Sequence, residues 1–122
     1  MYEYSFEKLD VYKLGRKYVG KVYAITSTFP NIERFGLVDQ LQRAAVSVVS
    51  NIAEGTSRTT KKDKAHFIEI AYGSLMETLS QLQIAVDLNY IKEEQLNEMR
   101  LIIDDLGYKL TRLRMSYTAS LK

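Results

Sequence analysis

A single proline, Pro30, interrupts 122 residues, and six glycines are the only other strong breakers. A chain with so little punctuation is committed to long helices. No segment sustains the polar–apolar alternation of a half-buried strand. The apolar residues instead recur at steps of three and four. Val11, Tyr18 and Ile25 form one seven-residue series, and Gly15, Val22 and Phe29 an adjoining one. Together they predict a first helix from near Ser5, with Ser5 as cap and Lys8 at its third position, to about Thr28. Phe29-Pro30-Asn31 ends it, because the residue before proline is pushed out of the helical region.

A second helix is predicted from about Gly36 to Glu54. Gly55 follows and is expected in the left-handed conformation that stops a helix. Thr60 caps a third helix, with Asp63 answering as a short capping-box partner. Ile68, Tyr72, Leu75, Leu79, Leu82 and Val86 carry that helix to about Leu88. Asn89-Tyr90-Ile91 makes a short connection. The fourth helix follows Leu96, Met99, Ile103, Leu106, Leu110, Leu113 and Tyr117. Its opening Glu93 and Glu94 and its closing Arg112 and Arg114 both suit the helix dipole. Four amphipathic helices with short loops predict an all-α fold, an antiparallel up-down-up-down four-helix bundle, as one domain over residues 1–122. Its expected core holds Leu41, Ala45, Val48, Ile52, Ile68, Leu75, Leu79, Leu82, Leu96, Ile103, Leu106 and Leu110.

The second helix has two faces. Leu37, Leu41, Ala44, Ala45, Val48, Val49 and Ile52 form a small-residue apolar face. Gln40, Arg43, Ser47, Ser50, Asn51 and Glu54 line the other flank. A hairpin centred near Ser57 and Arg58 sets Arg43 level with Tyr72, one turn from Glu69 and from Glu77. Two readings stay open. One is a half-buried ion-pair and hydrogen-bond network that fixes helix pairing. The other is a ligand or nucleic-acid contact through Arg43, Asn51 and Glu54. The stripe holds no nucleophile–base pair and no metal-ligand set. His66 is the one histidine; beside Glu69 it makes at most half a site, and a surface histidine is expected.

The run QLQRAAVSVVSNIAEG (Gln40–Gly55), then Arg58, then Ala71-Tyr72-Gly73-Ser74-Leu75-Met76-Glu77, resembles the 23S ribosomal RNA intervening-sequence family. Phe29-Pro30 with Glu33, Phe35, Gly36 and Leu37 belongs to the same pattern. The likeness extends from about Phe6 to about Leu113, with Tyr12 where the family often has Trp. The resemblance implies a four-helix bundle, encoded in insertions within bacterial ribosomal RNA genes or elsewhere in bacterial genomes. It also implies a subunit similar to those of closed, barrel-like pentamers. The bundle further resembles the basic accessory protein of diversity-generating retroelements, which binds a reverse transcriptase and nucleic acid.

Composition sets the remaining bounds. With 46% hydrophobic and 26% charged residues the chain reads as globular. The absence of cysteine removes disulfides, thiolate catalysis and cysteine-held metals. No cofactor or metal is expected. No run approaches the roughly 20 apolar residues of a membrane span. The N-terminus lacks the basic and apolar parts of a signal peptide, so a cytoplasmic protein without membrane contact is expected.

The net charge of +2 does not by itself imply nucleic acid. Its distribution is more suggestive. Arg58, Lys61, Lys62 and Lys64 cluster by the second loop. Lys109, Arg112, Arg114 and Lys122 close the fourth helix, and Lys13, Arg16, Lys17 and Lys21 lie on the first. Each set is either a solvated face or an electrostatic footprint for RNA. Leu101, Tyr108 and Met115 repeat every seven residues away from the core face of the fourth helix. The first helix carries Tyr12, Val19 and Tyr23 off its core face, and the third Ile70 and Ile84. A monomer would expose these rows, so self-association is expected. The sequence therefore reads as a non-enzymatic, self-associating bundle with RNA or other nucleic acid as partner. The alternative is an oligomeric scaffold that binds another protein and has no nucleic-acid role.

Overall fold

The structure, a computed structural model, describes residues 1–119. Four helices make up its frame: α1 (Asp10–Thr26), α2 (Leu37–Thr56), α3 (Lys61–Asp87) and α4 (Glu93–Thr118). Consecutive helices pack side by side and α4 closes back on α1, which leaves α1 facing α3 across the core. The contacts at the two ends fix the directions. Phe29, after α1, packs at a tilt against Tyr90, after α3, with ring centroids 5.4 Å apart. The Tyr90 hydroxyl donates to Glu33 Oε2, just before α2, at 2.7 Å. At the other end Lys64 of α3 donates to the Thr56 carbonyl of α2 at 2.8 Å, and its ammonium lies 5.7 Å from the centre of the Tyr117 ring of α4. The topology is up-down-up-down, as the short loops predict.

The first helix starts later than expected. Ser5–Lys8 forms a separate 3-10 turn, because the Glu7 carboxylate reaches back to accept the Tyr4 N–H at 2.6 Å. Leu9 is extended (φ −70°, ψ 130°), and Asp10 opens α1 at the positive end of its dipole. The expected Ser5 cap is therefore replaced by a turn that folds Phe6 edge-on against Tyr12, 4.9 Å between centroids.

The end of α2 also differs. Gly55 is not left-handed; it lies within the helix, which continues to Thr56. A Cβ there would meet Phe67 Cβ at 2.8 Å and the Lys64 carbonyl at 3.3 Å. Gly55 is thus a point of close approach between α2 and α3. Thr60 does cap α3, its hydroxyl accepting the Asp63 N–H at 3.1 Å. The left-handed residue is Asn89, at φ 61°. Its N–H bonds to the Val86 carbonyl, and the Tyr90 N–H reaches back to Ala85, both at 2.9 Å or less. This double closure is a Schellman motif, with Asn in the place usually held by Gly.

The core is continuous along the bundle. Leu41, Val48, Ile52, Ile68, Leu75, Leu82, Ile103, Leu106 and Leu110 are all buried, and Leu79 packs half-buried against them. Truncating the fully buried Leu106 to Ala costs about 2–5 kcal/mol on the usual scale. On α3 the inward face is narrower than the apolar pattern suggests. Ala65, Ala71, Thr78 and Ala85 are buried, while Tyr72 is largely exposed. Small residues on that face suit the close packing of α3 against α2 and α4.

Candidate functional site

The polar stripe of α2 resolves into local pieces. Ser47 Oγ lies 2.9 Å from Ser74 Oγ on α3, and Asn51 Nδ2 donates to the Ser47 carbonyl at 2.8 Å and to Ser47 Oγ at 3.0 Å. This cross-helix cluster is the part of the expected network that forms. Arg43 does not join it. Its Nε bonds both oxygens of Asp39 at 3.1 Å, one turn back on the same helix, and its side chain is 79% exposed. Glu69 pairs with Arg114 at 3.7 Å instead, and Glu77 accepts from Gln81 at 3.2 Å. Glu54 pairs with Arg58 at 2.8 Å.

The reason lies in the register. The Ser47–Ser74 contact sets it: facing positions of α2 and α3 centre between residues 60 and 61. Arg43 then faces solvent about one and a half turns from the expected level. An exposed i,i+4 pair such as Arg43–Asp39 contributes only tenths of a kcal/mol.

The basic clusters divide in the same way. The second loop and the closing half of α4 share one end of the bundle, as the Lys64–Tyr117 contact requires. Most of their cations are occupied, however. Arg58 is held by Glu54 and lies over the Phe67 ring at 4.4 Å. Lys64 is bonded to Thr56, Lys109 to Asp105 at 3.1 Å, and Arg114 to Glu69. Arg112 lies 6.0 Å from the Tyr108 ring centre. Lys61 and Lys62 are exposed and have no carboxylate partner among the described residues. Lys122 lies outside the described residues.

On α1, Lys13, Arg16, Lys17 and Lys21 are all exposed, and none has an ion-pair partner among the described residues. Of these only Arg16 also lines the groove between α1 and α2, with Tyr12, Val19, Val46, Val49 and Ser50 along one stretch of it. Tyr23, Val46, Ser50 and the paired Asp39 and Arg43 line the next.

The expected apolar rows are only partly free. Leu101 (73% exposed) and Tyr108 (64%) stand out from α4, with Met115 beyond them. Tyr23, Ile70 and Ile84 are also exposed. Tyr12 and Val19 are not; they pack half-buried against the core, and the N-terminal turn covers part of Tyr12. Ile32 and Phe35, in the connection before α2, are each 87% exposed and were not singled out by pattern. Their only signal is two large apolar side chains in a proline-led loop.

Few groups have shifted ionisation. Burial pushes the Tyr18 phenol up to about 12, opposed by its bond to Thr78, and burial also raises Tyr117. Bonds from Tyr90 and from the Leu37 N–H hold Glu33 below the usual carboxylate range, and Glu33 in turn raises Tyr90. All four belong to packing or to loop closure. A cleft of 320 Å³ between α3 and α4, lined by Tyr72, Leu110, Thr111 and the Glu69–Arg114 pair, contains none of them. His66 is exposed, with its ring 6.0 Å from that of Phe67. Among the described residues no group of three or more His, Asp or Glu side chains could hold a metal, and no helix is long and apolar enough to cross a membrane.

Residues 7–112 match the family model described as 23S rRNA-intervening sequence protein. The chain is also similar to a solved structure described as a protein with unknown function from the S23 ribosomal protein family of Bacteroides thetaiotaomicron VPI-5482. That likeness has a TM-score of 0.76 at 19% identity, over 85% of this chain and 97% of the other. At that identity it speaks to the fold. No curated protein matches the chain.

Proposed function

The chain belongs to the 23S rRNA-intervening sequence protein family, and we propose that it is a non-catalytic accessory protein that self-associates and engages RNA in its assembled form. The observation that carries the reading is the contrast between two sets of surface cations. Arg58, at the loop end, and Lys109 and Arg114, on α4, are each paired with a carboxylate of the chain, whereas none of the four cations of α1 has a carboxylate partner among the described residues. An unneutralised set repeated by a closed assembly multiplies the local field, which a single subunit of net charge +2 does not supply. The exposed Leu101, Tyr108 and Met115 on α4 support the assembly, since a folded bundle leaves them uncovered. The family description supports the RNA partner.

A second reading is a scaffold for another protein. It is favoured by the setting of Leu101 and Tyr108 among Glu98, Asp104 and Asp105, a mixed apolar and acidic surface that suits a protein better than a polyanion. The test is to purify the native-size protein from its cells and identify what comes with it. RNA recovered with a stable oligomer, and released by salt, is the expected result. A protein partner without RNA would establish the scaffold, and a monomer without either would remove both.

A further inference from the structure

We infer that the outer face of α1 is a site for single-stranded nucleic acid, with phosphates along its cations and a base stacked on Tyr23, where that face meets the groove with α2. The inference rests on the RNA reading above and assigns it a place, which is not the loop end that the sequence favoured.

The first observation is the composition of the outer face of α1. The helix has four cations and one acid, Asp10, at its start. At about 100° per residue, Arg16, Lys13, Lys17 and Lys21 fall within about 140° of its circumference. Gly20 and Ala24 lie inside that arc, both exposed, and a Cβ added at Gly20 would meet nothing within 4 Å. Lys13, Lys17 and Lys21 are successive i,i+4 neighbours, about 6 Å apart along the axis. Other elements each pair at least some of their cations, as Arg43 and Arg58 on or beside α2 and Lys109 and Arg114 on α4 show, whereas α1 pairs none of its four among the described residues. On α1 the like charges repel one another with nothing to offset them, which is a cost unless an anion covers the face.

The second observation is aromatic and independent of charge. Tyr23 is 47% exposed at the edge of this arc and opens onto the groove, where Val46 is also exposed. Tyr12 lines the same groove one stretch back, with the Arg16 guanidinium 6.0 Å from its ring centre. A basic track beside an exposed aromatic face is an arrangement that binds single strands, because unpaired bases can stack while phosphates follow the cations. A duplex presents no free base face to Tyr23.

The test is fluorescence anisotropy of the full-length protein with a labelled 12-nucleotide single-stranded RNA across a salt series, and with the same sequence as a duplex. The single strand should bind more tightly than the duplex. The triple variant K13E/K17E/K21E should lose at least tenfold in affinity, and its salt slope should fall by about two, as three lost phosphate contacts on a single strand require. Tyr23→Ala should weaken single-strand binding at least fivefold with the salt slope unchanged. K61E/K62E should stay within about twofold of the unmodified protein. Circular dichroism and light scattering confirm fold and assembly, and K13Q/K17Q/K21Q serves if charge reversal impairs either. RNA binding that ignores the α1 variants, or falls with K61E/K62E instead, overturns this site and leaves the accessory reading intact. Absence of RNA binding at low salt overturns both. Loss of the oligomer in both triple variants would show that the α1 face docks a second copy and would overturn the site.

Discussion

The Tyr18 hydroxyl and Thr78 Oγ1 lie 2.7 Å apart, both fully buried, and tie α1 to α3 across the core of the bundle. The bond has a direction. Thr78 gives its one proton to the Leu75 carbonyl at 2.6 Å, so Tyr18 must be the donor between them. The two partners are therefore unequal. Thr78→Val should leave the Tyr18 hydroxyl buried without an acceptor and cost about 1–3 kcal/mol, whereas Tyr18→Phe leaves Thr78 bonded to Leu75 and should cost about 0.5–1.5 kcal/mol. Urea melts of the two variants decide this; a larger loss in Tyr18→Phe would contradict the assigned direction. The same phenol makes an alkaline prediction. Its pKa is raised by burial from 10.0 to about 12, so its share of stability is complete below pH 10 and is lost as pH rises toward 12. Tyr18→Phe should flatten that limb.

Gly55→Ala should destabilise the protein, although Ala is the better helix former by about 1 kcal/mol. The new methyl would meet Phe67 Cβ, which cannot move without its backbone, and overpacking of this kind costs about 1–3 kcal/mol. Gly73 on α3 is the control: nothing lies within 4 Å of a Cβ there, and Gly73→Ala should gain up to about 1 kcal/mol. Thermal melts that rank the two variants the other way would remove Gly55 as a close helix contact.

Acid should loosen the end of the bundle that Glu33 closes. Bonds from Tyr90 and the Leu37 N–H hold its carboxyl below the ordinary 4.5. A depressed carboxylate stabilises the fold above its unfolded value and loses that contribution as pH falls through the folded one. Glu33→Gln should therefore lower stability at neutral pH and flatten the acid limb below about pH 4.5. An acid limb unchanged in the variant would show that the Glu33–Tyr90 closure carries no net stability.

Leu101→Glu and Tyr108→Glu should split an oligomer built on α4 while leaving helicity intact, because both side chains are free of the core. Sedimentation or light scattering at micromolar concentration checks this. A monomeric unmodified protein, or an oligomer unaffected by both charges, would move the interface elsewhere, with Ile32 and Phe35 the next surface to test.

The sequence alone determined the four helices, their order and most of the core. A seven-residue apolar period on α4 leaves one face that can be buried, and Leu96, Met99, Ile103, Leu106 and Leu110 are buried as it demands. Thr60 caps α3 because a hydroxyl next to an orphan N–H is a local matter. Tertiary structure decided whatever depends on the distance and register between helices. Periodicity set Tyr72 on the apolar stripe of α3, but the inward face also takes in Ala65, Ala71, Thr78 and Ala85, whose small side chains carry little apolar signal and gain their places by fitting against neighbours. Gly55 reads as a helix stop in one dimension and is a helix contact in three. The α2–α3 register is fixed by cross-helix contacts such as Ser47–Ser74, and it leaves Arg43 in solvent beside Asp39 and outside the expected network. The basic clusters were legible as composition, but which cations keep their charge unneutralised depends on which carboxylates folding brings within 4 Å. That is a property of packed helices, and no single helix's sequence contains it.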